Sequence, residues 1–189
     1  MSRGKLIVLS APSGSGKTTI AKAILAANPR MKFSVSATTR LKRANETEGK
    51  DYFFLSRKEF ERRVAEGGLV EYEEIYGNLY GSLKSEVDKV IANGGAMLFD
   101  VDVKGALAIK KMYNGAAALI FVQAPSVEVI EQRLSSRKTE SPETVKRRME
   151  RVPMELDLGK QFDYRVINDN LEKAIGDVKE VVGKFLSNG

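Results

Sequence analysis

The sequence predicts an α/β fold built on a mainly parallel sheet. Three observations carry this expectation. Short apolar runs alternate with helical patterns along the 189 residues, which is the signature of strand–helix–strand units. The first apolar run, Lys5 to Ser10, passes directly into a glycine-rich loop and then a helix, the setting of a phosphate-binding loop. A later run, Ala96 to Val101 in AMLFDVD, ends in acid.

The elements read in order as follows. KLIVLS is apolar on both alternating faces, as in a strand covered on both sides. The helix from Lys17 to Ala27 is closed by Asn28-Pro29. Lys32 to Ser36 alternates like one strand, Arg40 to Lys50 is a polar loop, and Asp51 to Leu55 is a further strand. Ser56-Arg57-Lys58-Glu59 is a capping box opening a helix that ends at Gly67-Gly68. Leu69 to Ile75 is a strand, Gly77-Asn78 a turn, and a helix from Leu83 stops at Asn93-Gly94-Gly95. After Ala96 to Val101 come a short helix to Met112, a strand from Ala116 to Val122, and a helix from Ser126 to Ser136. Ser141-Pro142 pairs an N-cap with proline at the first helical position. Pro153 is expected to interrupt that helix. Tyr164 to Ile167 is the last strand and Leu171 to Phe185 the last helix.

Composition narrows the chemistry. The chain has no His, no Cys and no Trp. Histidine-dependent nucleophiles, Cys/His zinc sites and disulfide frameworks are therefore excluded. The lack of Cys fits a cytoplasmic protein, and no apolar stretch reaches membrane-spanning length. The 31 Lys and Arg exceed the 25 Asp and Glu, for a net charge of +6. That excess is local: residues 30–63 carry +5, residues 133–151 carry +4, and the remainder sums to −3.

Ala11-Pro12-Ser13-Gly14-Ser15-Gly16-Lys17-Thr18 follows the G-x-x-x-x-G-K-[ST] phosphate-loop pattern, with Ala11 in place of the first glycine. Alanine is tolerable there if the position needs no positive φ. Gly14 and Gly16 let backbone N–H groups turn toward phosphate oxygens, and the helix N-terminus adds its dipole. Lys17 is expected to reach the β- and γ-phosphates. Thr18 is expected to offer its hydroxyl to Mg²⁺, with Ser13, Ser15 and Thr19 completing the ATP-binding loop. Asp100, at the end of its strand, is the acid expected to order the Mg²⁺ shell through water; Asp102 reads as a helix N-cap.

Taken together, SGSGKT, SVSATTRLKR, GKDYFF, LVEYEEIYGNLYGS, LFDVD, RLSSRKTE and VINDN resemble successive blocks of the guanylate kinase family, in family order and across nearly the whole chain. The resemblance implies a P-loop NTPase fold: a core of residues 1–32, 87–125 and 153–189, a GMP-binding region with mixed strands at 33–86, and a helical lid at 126–152. It implies transfer of the ATP γ-phosphate to GMP or dGMP, with Mg²⁺ as cofactor and ATP as co-substrate.

The resemblance also assigns residues. Arg40, Arg43, Tyr52 and Tyr80 would hold the GMP phosphate; Ser36, Glu71 and Ser82 would contact guanine, with Asp100 beside them. One carboxylate at Glu71 suits the adjacent N1–H and N2–H donors of guanine, a pair that adenine lacks. Arg133, Arg137 and Arg148 resemble lid arginines that fold over ATP, and Asn168 a residue near adenine. Lys17, Arg40, Arg137 and Arg148 are the expected catalytic cations. Leu79 replaces a common Tyr, and Lys138 a common Gly.

Rival readings are a P-loop kinase of another phosphorylated acceptor, a non-catalytic phosphopeptide-binding module, and a nucleic-acid binder. Ser36, Glu71 and Ser82 weigh against the first, and an intact loop with Lys17, Thr18 and Asp100 against the second. Against the third, aromatics make up only 7% of the chain, leaving little stacking surface. The expected partners are therefore small nucleotides, with no nucleic acid and no membrane; monomer and dimer both remain open.

Overall fold

A computed structural model describes residues 4–75, 77–136 and 141–187. In chain order its elements are β1 (Lys5–Ser10), α1 (Lys17–Ala27), β2 (Lys32–Phe33), β3 (Ser36–Thr38), β4 (Phe53–Phe54), α2 (Arg57–Ala65), β5 (Leu69–Ile75), β6 (Asn78–Leu83), α3 (Lys84–Ala92), β7 (Ala96–Asp100), α4 (Val103–Tyr113), β8 (Ala117–Gln123), α5 (Val127–Ser135), α6 (Pro142–Gly159), β9 (Tyr164–Ile167) and α7 (Leu171–Ser187). None of the helices among the described residues is long and apolar enough to cross a membrane.

Five strands form a parallel sheet in the order β2-β7-β1-β8-β9. Both its faces are covered, which explains the unbroken apolar runs of the central strands. Ile7 and Leu9 of β1 pack with Ile20 and Ile24 of α1 and Val178 of α7. Leu6 and Val8 point the other way, into Val87 of α3 and Val103 and Ile109 of α4. Alternation along a single strand thus builds two cores, one on each face.

A second sheet runs β4-β3-β6-β5, with β6 antiparallel to both of its neighbours and β3 parallel to β4. It packs its own small core of Ala37, Phe60, Leu69, Leu79 and Leu83. The chain crosses between sheets at Ser34 and Val35. The Ser34 amide still donates to Leu98 of the first sheet at 2.8 Å, while Ser36 already pairs with Ser82 of the second.

Three expectations need correction. Lys32 to Ser36 is not one strand: the segment is divided between two sheets, a distinction that local alternation does not record. Asn78 to Leu83, where only a turn at Gly77-Asn78 and the start of a helix at Leu83 were expected, is a strand paired with neighbouring β5 and with β3. Pro153 does not interrupt α6, which runs unbroken through it. Pro153 faces solvent, where water can serve the carbonyl that its missing N–H leaves bare, while Val152 and Glu155 on either side are buried.

Two glycines test the packing. A Cβ on Gly159 would lie 2.5 Å from the Phe121 ring, so Gly159→Ala is expected to cost about 1–3 kcal/mol by overpacking. Gly176 is exposed in α7 with open space around it, so Gly176→Ala is expected to gain about 0.5–1 kcal/mol. Chemical denaturation of the two variants should give shifts of opposite sign; the same sign for both would contradict this packing.

Candidate active site

The glycine-rich loop joins β1 to α1. Gly14 and Gly16 both have φ of +86°, a conformation that side chains disfavour. Ala11 is not among the residues of positive φ, so its substitution for glycine is free of backbone strain. Asn168 holds the loop from beneath. It is buried, its side-chain amide donates to the Ser15 carbonyl at 2.8 Å, and its backbone amide donates to Gln123 at 2.8 Å. A Cβ on Gly16 would meet the Asn168 amide at 2.4 Å. Arg133 in turn donates to the Asn168 carbonyl at 3.0 Å. Both residues therefore touch the loop's support. The Ser15 hydroxyl is buried and has no partner among the described residues; Thr18 and Thr19 are exposed at the start of α1.

Lys17 reaches from the loop to the end of β7. Its Nζ lies 2.6 Å from Asp100 Oδ1 and donates to the Val101 carbonyl at 2.9 Å. Parallel pairing of β1 with β7 sets Leu9 opposite Asp100, which brings the loop and the acid to the same sheet edge. From α6, Arg148 donates to the Ser13 hydroxyl at 2.7 Å. Arg137 and Lys138 lie outside the described residues.

The second sheet supplies a row of residues abreast. Ser36 of β3 pairs with Ser82 of β6, which pairs with Glu71 of β5. The Ser82 hydroxyl donates to Glu71 Oε1 at 2.7 Å. The β5–β6 register shifts between Leu69 and Glu71, and a local shift of this kind re-aims the side chain beside it. Gly105 makes the room: a Cβ there would lie 3.0 Å from Glu71 Oε2. Gly81 serves the other face of the sheet, where a Cβ would lie 2.9 Å from Tyr72 Cβ and 3.2 Å from the Phe60 ring. Burial pushes the Glu71 carboxyl up to about 7, and the neighbouring charges of Asp102 and Glu73 add to the shift against the Ser82 hydrogen bond.

Arg40 and Tyr52 stack, with the guanidinium 5.3 Å from the ring centroid, and the Tyr52 and Tyr80 rings lie 6.1 Å apart. Glu46, which sequence reasoning missed, grips Arg40 with both oxygens at 2.6 and 3.1 Å. This bidentate bond raises the Arg40 pKa and holds the Glu46 carboxyl below its usual range. The Arg43 backbone amide also donates to Glu46, at 2.8 Å. A carboxylate fork here occupies the geometry that suits a phosphate.

Loop and row face one cleft of about 1020 Å³, lined by residues 11–19 together with Ser36, Tyr52, Glu71, Tyr80, Asp100 and Arg148. Arg40, Arg43, Ser82, Arg133 and Asn168 are not on its wall. Ser82 braces the wall through Glu71, Asn168 through Ser15, and Arg40 packs on Tyr52. Sequence reasoning also missed Glu73, Arg147, Arg151 and Glu155, which line the cleft. The period-two spacing of Glu71 and Glu73, and the i, i+4 spacing of Arg151 and Glu155, were the available signals. Asp102 is the N-cap it was expected to be, accepting from Gly105 at 2.7 Å.

No group of three or more His, Cys, Asp or Glu among the described residues is arranged to hold a metal ion. Thr18 and Asp100 are hard oxygen donors on the same cleft. Two such groups suit a Mg²⁺ ion that keeps several waters and leans on substrate phosphates, not an all-protein cage.

Glu71 should mark the pH dependence of stability. From its ordinary value of 4.5 up to about 7, the unfolded chain has released this proton while the folded chain retains it. Stability therefore falls as pH rises through that window. Denaturant titrations at pH 5 and pH 8 should show a loss on the order of 3 kcal/mol, and Glu71→Gln should remove most of it. An unchanged slope in Glu71→Gln would disprove the assignment.

A family model described as guanylate kinase matches residues 3–185. The guanylate kinase of Chlorobaculum tepidum is 46% identical, over 98% of this chain and 95% of its own length. That of Salinibacter ruber is also 46% identical, over 96% and 97%. A crystal structure of guanylate kinase from Anaplasma phagocytophilum superposes with a TM-score of 0.75 at 28% identity, covering 97% of this chain and 87% of that one. With its loop, its acid-lined row and a match along nearly its full length, the chain belongs to the guanylate kinase family.

Proposed function

We propose that this cleft performs the family's reaction, transfer of the ATP γ-phosphoryl group to GMP or dGMP, with ATP on the Ala11–Thr19 loop and guanine against Ser36, Ser82 and Glu71. One observation carries the reading: a half-buried carboxylate with room made by Gly105 shares a cleft with a phosphate loop. Guanine offers N1–H and N2–H side by side, and an ionised Glu71 accepts both. Adenine would leave the buried acid unpaired.

The roles follow from charge and position. Gly14, Gly16 and the amides of Ser13 and Ser15 cradle the ATP phosphates at the α1 N-terminus. Lys17 exchanges Asp100 for phosphate oxygens. Asn168 and Arg133 serve ATP through the loop that Asn168 braces. Arg40 exchanges Glu46 for the GMP phosphate, with Arg43, Tyr52 and Tyr80 around it. Arg148, and Arg137 from the lid at 126–152, neutralise charge on the transferring group. Thr18 and Asp100 would hold Mg²⁺, Asp100 through water. The ion would offset negative charge on the phosphates. The acceptor is already ionised, because a phosphate monoester has a second pKa of about 6, so no general base is needed. Residues 33–86 form the acceptor region, working against a core of 1–32, 87–125 and 153–189. The small nucleotides are the partners, in the cytoplasm, with no nucleic acid and no membrane.

An ADP-release assay across GMP, dGMP, AMP, CMP and UMP should show turnover confined to the guanine acceptors; equal rates with AMP would refute the base assignment. Glu71→Gln should lower kcat/KM for GMP about 100-fold, the worth of a buried charged hydrogen bond of about 2–3 kcal/mol, with KM for ATP little changed. Lys17→Ala should reduce kcat by on the order of 10²–10³; unchanged turnover would remove Lys17 from the mechanism. Asn168→Ala should raise KM for ATP about tenfold, a loss of about 1.4 kcal/mol, while sparing KM for GMP. Steady-state kinetics in both substrates separates these outcomes.

A further inference from the structure

Between the groups assigned to the base and those assigned to the phosphate, the acceptor sheet carries one more acid. The pairings of β6 set two rows across the strands. Ser36, Ser82 and Glu71 form the first; Thr38, Tyr80 and Glu73 form the second. Residues two apart on a strand face the same side, so the rows stand about 7 Å from each other on one face. The base belongs to the first row and the acceptor phosphate to Tyr80 in the second. Thr38 is fully buried, and its hydroxyl accepts from the Arg40 amide at 3.1 Å. Glu73 is the member of the second row without a task, and it lines the cleft.

The order of strands decides how a nucleotide lies across these rows. The second sheet runs β4-β3-β6-β5. Arg40 follows β3 and Tyr52 precedes β4, so the phosphate groups gather on the β3 side of Tyr80. Their rings and guanidinium already touch, with Tyr52 6.1 Å from Tyr80 and Arg40 5.3 Å over Tyr52. β5 is the opposite edge. A 5′-nucleotide held by its base in the first row and by its phosphate beyond the second spans the interval with its sugar. One edge of that sugar carries the 2′- and 3′-hydroxyls. The β3 side is taken by the ligands of the phosphate, which leaves the hydroxyl edge to β5 and Glu73.

Glu73 is held from across the cleft. Its Oε1 lies 2.8 Å from Arg151 of α6, and the side chains of Glu73 and Arg151 are 31% and 43% exposed. Arg151 has support of its own, at 3.5 Å from Asp102 and 3.6 Å from Glu155. A carboxylate accepts at about four lone-pair sites, so one ion pair does not exhaust it. A hydroxyl both donates and accepts. A sugar hydroxyl at this pair donates to the acid and accepts from the guanidinium, and so satisfies both. An acid serves the ribose 2′-hydroxyl in the same way in dinucleotide-binding folds.

We propose that Glu73 reads the sugar of the acceptor: it accepts from the ribose 2′-hydroxyl, Arg151 is the positioning residue that aims it, and the pair sets a preference for GMP over dGMP. The inference rests on the placement of guanine at Glu71 and of phosphate at Arg40 and Tyr80. Two acids on one face of β5 then divide the nucleotide between them, Glu71 taking the base and Glu73 the sugar. dGMP keeps every base and phosphate contact but leaves Glu73 one donor short. It remains a substrate, used less efficiently.

The test is kcat/KM for GMP and for dGMP at saturating ATP, on the full chain and on Glu73→Ala, Glu73→Gln, Arg151→Ala, Arg151→Lys and Glu71→Gln. The parent should prefer GMP about tenfold, the worth of one hydrogen bond to a charged group. Glu73→Ala should bring this preference below about twofold, through a loss on GMP that exceeds any loss on dGMP. Glu73→Gln keeps an acceptor oxygen without the charge and should give an intermediate ratio. Arg151→Ala should lower the ratio about threefold, and Arg151→Lys, a charge without the fork, should restore part of it. Each ratio is taken on one preparation, so a variant that folds poorly still reports it. Equal kcat/KM for the two acceptors in the parent, or an unchanged ratio in Glu73→Ala, would overturn the proposal; an unchanged ratio in Arg151→Ala would overturn its positioning role.

Glu71→Gln separates this inference from the reading beneath it. It should lower kcat/KM for both acceptors alike and leave their ratio near the parental value. If it does so while Glu73→Ala leaves the ratio intact, sugar reading fails and guanine recognition by Glu71 stands. If Glu71→Gln spares both acceptors, the base assignment fails and the sugar assignment falls with it.

Discussion

The side-by-side parallel pairing of β1 and β7 is the constraint on which the rest of the site depends. It fixes the phosphate loop, which follows β1, against the acid that ends β7, and the Lys17–Asp100 contact of 2.6 Å is its direct product. Strand pairing sets this juxtaposition to within one register step, because a slip by one residue would turn Asp100 to the opposite face. The two hydrophobic cores on either face of the sheet hold that register. Core packing and phosphate chemistry are thus two ends of the same strands.

The second sheet adds what the first lacks. A parallel sheet with a loop at its edge binds phosphates but does not choose a base. Antiparallel β5 and β6 place Glu71 and Ser82 opposite each other, and β3 brings Ser36 alongside. The charges that the sequence carries in excess also find local partners. Arg40 sits in a Glu46 fork, Lys17 on Asp100, and Arg151 among three acids. A phosphate arriving at Arg40 or Lys17, as proposed, would displace a carboxylate partner. Such exchange keeps a charged site ordered before its ligand arrives and avoids leaving a bare charge in a partly dry cleft.

Local signals in the sequence were reliable where the physics is local. Ser56, Asp102, Ser126 and Ser141 each cap a helix through their side chains, and a cap needs only its next three residues. KLIVLS announced its double-sided burial by composition alone. The loop was legible because its glycines, lysine and threonine are contiguous. β6 was not legible, since Asn78 to Leu83 mixes glycine and polar residues and owes its conformation to β3 and β5. Neither was the break at Ser34 and Val35, because alternation continues across it while the partner sheet changes. Among site residues, the type of Glu71 could be read, but its half-buried setting depends on Ser82 and Gly105 from other elements. Glu46 was passed over as one acid in a polar loop, and Arg151 as one charge in a basic helix. Each takes its meaning from partners that sequence distance hides.

Gly105 beside Glu71 also bears on how such a site can change over generations. The hollow that holds the carboxylate is bounded by Gly105: a Cβ there would lie 3.0 Å from Glu71 Oε2 and 3.1 Å from Asp102 Oδ1. With Glu71 reading the base as proposed, a change of base would require the acid to go and the hollow beside Gly105 to be refilled. Each single step alone leaves a void, a clash or an unmatched charge. A hollow shaped by an absent side chain, like the one beside Gly105, is costly to dismantle one substitution at a time.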